Sequence, residues 1–123
     1  MFARRYEDMS IASMRFHYVA PNVENAISVY AHLTDYDKFL WAWTELEAAA
    51  DACLLSLQAP FTGHEAFYIV SPNTFSATPS LELAAEHFQD VPVTGDLSGH
   101  RSFFDSGKAE RLLGWRHPIF SIE

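Results

Sequence analysis

Trp41–Pro60, WAWTELEAAADACLLSLQAP, is the stretch on which the reading of the fold turns. Thr44 followed three residues later by Glu47 has the form of a capping box, which satisfies orphan donors at a helix start. Leu46, Ala49, Ala50, Cys53, Leu54 and Leu57 recur at one face of a 3.6-residue period and predict the core side of a helix. Ala48, Ala52 and Leu55 form a second apolar face, so the helix is expected to be covered on two sides. Pro60 and Gly63 stop it. Strand-like aromatic runs flank it, Phe39–Thr44 before and Glu65–Ser71 after. Strand, helix and strand with short links predict a βαβ unit and a parallel sheet, an α/β fold.

Outward from this unit, Ile11–Val19 (IASMRFHYV) reads as a strand ended by Pro21–Asn22. Phe2–Asp8 resembles the last turns of a helix. Val23–Leu33 is a weaker helix and Asp35–Lys38 a polar turn. Ala66–Val70 is apolar at every position, as in a strand buried on both faces. Ser80–Phe88 predicts a helix, capped by Thr78 or Ser80 with Pro79 near its first position. Val91–Val93 is short and extended, Gly95–Arg101 a mobile loop, and Ser106–Leu113 a last helix ended by Gly114. Trp115 is placed to fold back on Leu112 or Leu113. Ile11–Val19 and Glu65–Ser71 are expected to pair in parallel, with the Thr44–Gln58 helix crossing between them.

The 123 residues suffice for one domain, spanning 1–123, with a core of its own. An apolar share of 49% and an aromatic share of 15% exclude disorder. A net charge of −8 argues against nucleic acid and anionic membrane as partners. No apolar run reaches the ~18 residues of a membrane span, and MFARRYEDMS has no apolar segment behind its arginines to make a secretory signal. The single cysteine, Cys53, has no internal disulfide partner and reads as a small buried hydrophobe in a reducing, cytoplasmic setting.

Four segments carry a resemblance. Asp105-Ser-Gly-Lys-Ala-Glu-Arg-Leu-Leu-Gly-Trp115, with Pro118 after it, resembles a D-x-x-K-A-x-x-x-L-G-W run. Met14-Arg-Phe-His-Tyr-Val-Ala-Pro21 resembles L-R-x-x-N-V-Y-G-P. Trp41–Leu57 and Gly63–Ser71 resemble Y-V-x-V-x-D-V-A-x-A-x-x-x-A-L and G-x-x-F-N-I-x. The family is the extended short-chain dehydrogenases/reductases, the NAD-dependent sugar epimerases and dehydratases, and the resemblance is to their C-terminal third. His17 stands at the family asparagine, and the Thr44–Glu47 box replaces the helix-entry aspartate. The resemblance implies a substrate-binding part without its nucleotide-binding part. The glycines, at 63, 95, 99, 107 and 114, make no phosphate loop, and none of Tyr6, Tyr18, Tyr30, Tyr36 and Tyr68 has a lysine four residues on. No NAD or NADP cofactor is therefore expected.

The six histidines, at 17, 32, 64, 87, 100 and 117, form no metal-ligand pair, so no metal is expected. His17 and Tyr18 close the first strand, where ligands bind in open parallel sheets. In the family this loop lines the substrate pocket. An imidazole beside a phenol suits acid–base catalysis, or His17 is held by a backbone partner. Trp41 and Trp43 alternate with Ala42 and point to one strand face, as a pocket floor or a core layer. Asp96, His100 and Arg101 share a loop. The resemblance places there an arginine that binds a nucleotide-sugar phosphate. Arg101 would hold an anionic or carbonyl group, or pair with Asp96 or Asp105. Lys108, Glu110 and Arg111 read as a solvated helix face.

Two readings of function follow. One is a cofactor-independent, non-redox enzyme of isomerase, dehydratase or cyclase type acting on a small, fairly apolar molecule, catalysed by His17 and Tyr18. The other is a binding or assembly module, or a fragment of an NAD(P)-dependent enzyme. The strand matching Ile11–Val19 is interior in the family, so a homodimer burying its edge is expected here.

Overall fold

The computed structural model describes residues 8–30 and 36–120. The strands are β1 (Ser10–Phe16), β2 (Tyr18–Ala20), β3 (Trp43–Glu45) and β4 (Gly63–Ile69); the helices are α1 (Val23–Tyr30), α2 (Leu46–Gln58), α3 (Ser80–His87) and α4 (Gly107–Leu113). A 3₁₀ turn spans Tyr36–Phe39. The readings over 2–7, the end of the Val23–Leu33 helix and residue 35 lie outside the described residues.

β1 pairs in parallel with β4, from Ser10 opposite Gly63 to Phe16 opposite Ile69. α2 lies between them in sequence and packs on β1, β2, β3 and α4. The parallel pair and the crossing helix are therefore present. The single strand expected over Ile11–Val19 is two strands. β1 ends at Phe16, and after His17 the chain changes partner, so that β2 runs parallel to β3 from Tyr18 opposite Trp43. Beyond β4 the chain stays extended, and the Ser71 amide donates to the Trp43 carbonyl at 2.9 Å.

Two further boundaries move. The aromatic strand begins at Trp43 and not at Phe39, because Leu40 and Trp41 both take left-handed backbone, each at φ 52°. Such a conformation in a non-glycine residue costs on the order of 1–3 kcal/mol and persists only where packing enforces it. Trp41 is held here by the rings of His87, Phe88 and Phe103. The cap of α2 is Glu45 and not the Thr44–Glu47 box. The Thr44 hydroxyl is spent inside the core on the Ile69 carbonyl at 2.6 Å, and the Glu45 carboxylate accepts from the Ala48 amide at 2.7 Å. Likewise α3 starts after Pro79 with no side-chain cap from Thr78 or Ser80. Gly114 closes α4 in left-handed backbone at φ 70°, where a Cβ would be disfavoured.

The packing face of α2 also differs from the periodic reading. Ala48, Ala49 and Ala52 face inward, whereas Leu46, Ala50, Cys53, Leu54 and Leu57 are exposed. Both faces are apolar in sequence, so the period alone did not choose. Small residues win inward because they let the helix approach Phe67 and Ile69 closely. Cys53 is consequently an exposed free thiol and not a buried hydrophobe. β4 is buried on one face only, through Phe67 and Ile69, while Tyr68 is exposed.

The core has two parts. Ala48, Ala52, Phe67, Ile69, Ala109, Leu113 and Trp115 fill the layer between helices and sheet. Val23, Ala26, Trp41, Trp43, Phe75 and Leu83 form an aromatic part around β2 and β3. No described helix is long and apolar enough to cross a membrane.

Candidate functional site

The chain after β4 builds the site. Arg101 bridges Asn73, the Thr74 amide donates to the His100 carbonyl at 2.9 Å, and the Ser102 amide to the Pro72 carbonyl at 2.8 Å. The Ser80 amide donates to the Gly99 carbonyl at 2.8 Å and its hydroxyl to the Arg101 carbonyl. Residues 99–102 are thereby stapled to the start of α3. The loop read as mobile is anchored at its end, because polar partners arrive from distant segments.

These anchors hold a cleft of about 990 Å³ open to solvent. Its walls come from residues 91–97, 101–107 and 115–117, with Leu40, Val70, Pro72, Ala84, Phe88, Glu110 and Ile119. Phe88, Phe103, Phe104 and Trp115 supply ring surface, and Val91, Val93, Leu97 and Ile119 aliphatic surface. Val91, Val93 and Ile119 are 60%, 48% and 73% exposed, so the cleft presents apolar groups to water. Two ion pairs stand in its lining. The Arg101 guanidinium lies 3.2 Å from Asp96, and the Arg116 guanidinium 2.9 Å from Glu110. The Ser98 amide donates to the Asp96 carboxylate at 2.9 Å, and these bonds hold its pKa below the usual carboxylate range.

Two of the lining residues, Trp115 and His117, also clamp the junction of β3 and α2. The Trp115 indole donates to the Ala48 carbonyl at 2.8 Å. His117 Nε2 accepts from the Glu45 amide at 2.9 Å while Nδ1 faces the Pro118 carbonyl at 2.6 Å. That arrangement fits a neutral ring with the proton on Nδ1. Burial pushes its pKa below 6.5, against smaller opposing effects of Pro118 and Glu45.

The residues predicted for the site divide. Asp96 and Arg101 line the cleft and pair with each other, while His17, Tyr18, Trp41, Trp43 and His100 do not line it. His17 sits at the partner change between β1 and β2 with its ring 4.2 Å from Phe104, whose other neighbour is Tyr68 at 5.3 Å. Burial lowers the His17 pKa from 6.5, so the ring is neutral near pH 7. The Tyr18 hydroxyl donates to Asn25 at 3.4 Å, and its ring packs on the aromatic core. Trp41 and Trp43 are both in that core, and the Trp43 indole nitrogen has no partner among the described residues, nor has His100 Nδ1. Lys108 and Glu110 are not merely solvated: Lys108 pairs with Glu65 at 2.5 Å and lies over the Phe67 ring.

Phe103, Phe104, Val91, Val93 and Ile119 were not legible as site residues. The available signal was the pair Phe103–Phe104 inside a loop of polar residues, an apolar run with no periodic element to bury it. Among the described residues no three potential metal ligands converge. No known family, curated protein or solved structure matches the chain.

Proposed function

We propose that the protein binds a small, largely apolar organic molecule in the cleft between residues 91–97 and 101–107. The observation that carries the reading is the cleft itself. A volume of about 990 Å³ with ring surface from Phe88, Phe103, Phe104 and Trp115, and with Thr94, Asp96, Arg101, Ser102, Glu110 and Arg116 also in its lining, offers both apolar area and polar groups to a small molecule. Apolar rings would drive binding by leaving water, at roughly 25 cal/mol per Å² buried. Arg101 and Arg116, each already paired with a carboxylate, would orient a polar or anionic end by exchanging partners.

The resemblance of Asp105–Trp115 to extended short-chain dehydrogenases/reductases supports placing this chain beside their C-terminal, substrate-binding part. The parallel β1–β4 pair with α2 between its strands agrees with that reading. The sequence offers no glycine loop for pyrophosphate, so binding is proposed without NAD or NADP.

A catalytic version of the same reading draws on His17. The neutral imidazole packs on Phe104, which is a wall of the cleft, and a ligand displacing that ring would meet a base. The chemistry would be non-redox: isomerisation, dehydration or cyclisation. A fragment screen of aromatic carboxylic acids and phenols, read by thermal shift, tests binding. Ligands stabilising the wild type more than Leu97→Trp, whose larger ring narrows the cleft, are the expected result; equal stabilisation of both would refute the site. For any ligand that is turned over, His17→Ala should slow turnover by roughly 10²–10⁴. Unchanged turnover would leave binding as the function.

A further inference from the structure

Helix α2 turns an apolar stripe to solvent. Leu46, Leu54 and Leu57 are 54%, 55% and 85% exposed, with exposed Ala50 and Cys53 between them. At 3.6 residues per turn, Leu46, Ala50, Cys53 and Leu57 fall within a band about 60° wide, with Leu54 on its shoulder. Covering these leucines against a partner would take apolar surface out of water, which favours association.

The stripe reads the same from either end. Its spacing is Leu-x₃-Ala-x₂-Cys-x₃-Leu, symmetric about the point between Asp51 and Ala52. A second α2 laid antiparallel therefore sets each Leu46 beside a Leu57 and each Ala50 beside a Cys53. The small pair at the centre lets the axes approach to about 8–10 Å. An isologous two-fold contact needs this self-complementarity.

We infer that α2 is a docking surface for a second copy of this chain, the two helices antiparallel about a two-fold axis near Asp51 and Ala52. The three leucines and their flanks amount to on the order of 1,000 Å² over both copies, the lower limit for a specific interface, which makes the dimer a weak one. The charge of −8 on each copy opposes association, and salt strengthens it by screening. The contact is independent of the cleft.

Sedimentation of the full chain at increasing concentration is the test. The mass should rise from 13.9 kDa toward twice that value, with a midpoint at about 10–100 µM. Leu57→Glu should raise the midpoint at least about tenfold with the circular dichroism unchanged, since Leu57 is almost fully exposed. Adding Leu46→Lys to that variant should restore association by placing opposite charges at both ends. Cys53 is the only cysteine, so a bis-maleimide of about 8 Å can join chains only there. Cross-linking is expected in the wild type and not in Leu57→Glu. A monomer throughout would overturn the inference. So would a dimer indifferent to Leu57→Glu, which would point to another surface such as the free edge of β1.

Discussion

The layer between α2, α4 and the β1–β4 sheet and the cleft beside it are both apolar, yet one is closed and the other open. In the layer, alanines at 48, 52 and 109 let helices settle onto Phe67 and Ile69, and both large side chains are fully buried. In the cleft, Val91, Val93 and Ile119 face water across about 990 Å³. The layer gains its stability from contacts already made. The cleft leaves comparable groups partly exposed, beside a loop at residues 99–102 that is held by hydrogen bonds with Pro72, Thr74 and Ser80. The difference separates side chains that hold the fold from side chains available to a ligand.

Mutation should break the comparison most sharply at Phe67. Phe67→Ala should cost about 3–5 kcal/mol by urea denaturation, as a large buried side chain leaves a cavity. Ile119→Ala should stay within about 0.5 kcal/mol of wild type. Equal losses would show that the cleft wall is core.

Two of the three buried tryptophans sharpen it next. Trp115 has a partner in the Ala48 carbonyl, whereas the Trp43 indole nitrogen has none among the described residues. Both replacements by phenylalanine remove similar volume. Trp115→Phe should therefore cost about 1–2 kcal/mol more than Trp43→Phe. The same denaturation measurement decides it, and the reverse order would contradict the bonding described.

Acid should weaken the clamp at the start of α2. The folded chain keeps His117 neutral, with its pKa pushed below 6.5 by burial. Below pH 6.5 the unfolded chain takes up a proton that the folded chain resists. Stability is thus present above that pH and is lost as pH falls toward and through the folded value. His17 acts in the same direction. Urea midpoints measured from about pH 7.5 to 5 should fall, and less steeply in His117→Gln, whose amide oxygen can still accept from Glu45. An unaltered slope would remove His117 as a contributor.

The smallest effect is expected at the cleft mouth. Asp96 and Arg101 are both well exposed, and solvent screens their attraction. Asp96→Asn should leave the denaturation midpoint unchanged and alter only the affinity for anionic ligands, which freeing Arg101 should raise.

Much of the architecture was legible because periodicity reports it directly. The α2 run, the β1–β4 pairing and the left-handed Gly114 all follow from local patterns. What local pattern cannot report is which of two apolar helix faces meets the sheet. The alanines won through close approach, a property of the partner surface. Nor does it report that a strand changes neighbour at His17, or that Thr44 is drawn away from capping by the Ile69 carbonyl. The cleft was least legible. Only Asp96 and Arg101 of its lining were singled out, since its walls come from loops brought together by hydrogen bonds as distant as Ser80 to Arg101.

The central claim, that the open apolar region is a ligand site, is tested most directly by amide chemical-shift mapping. The probe is 1-anilinonaphthalene-8-sulfonate, an apolar ring system with one anionic group, titrated into the labelled protein. Saturable shifts confined to Val93, Leu97, Phe103, Phe104 and Arg116, with the amides of α2 and β4 unmoved, are the predicted result. Shifts centred on Leu54 and Leu57, or none at saturating probe, would contradict it.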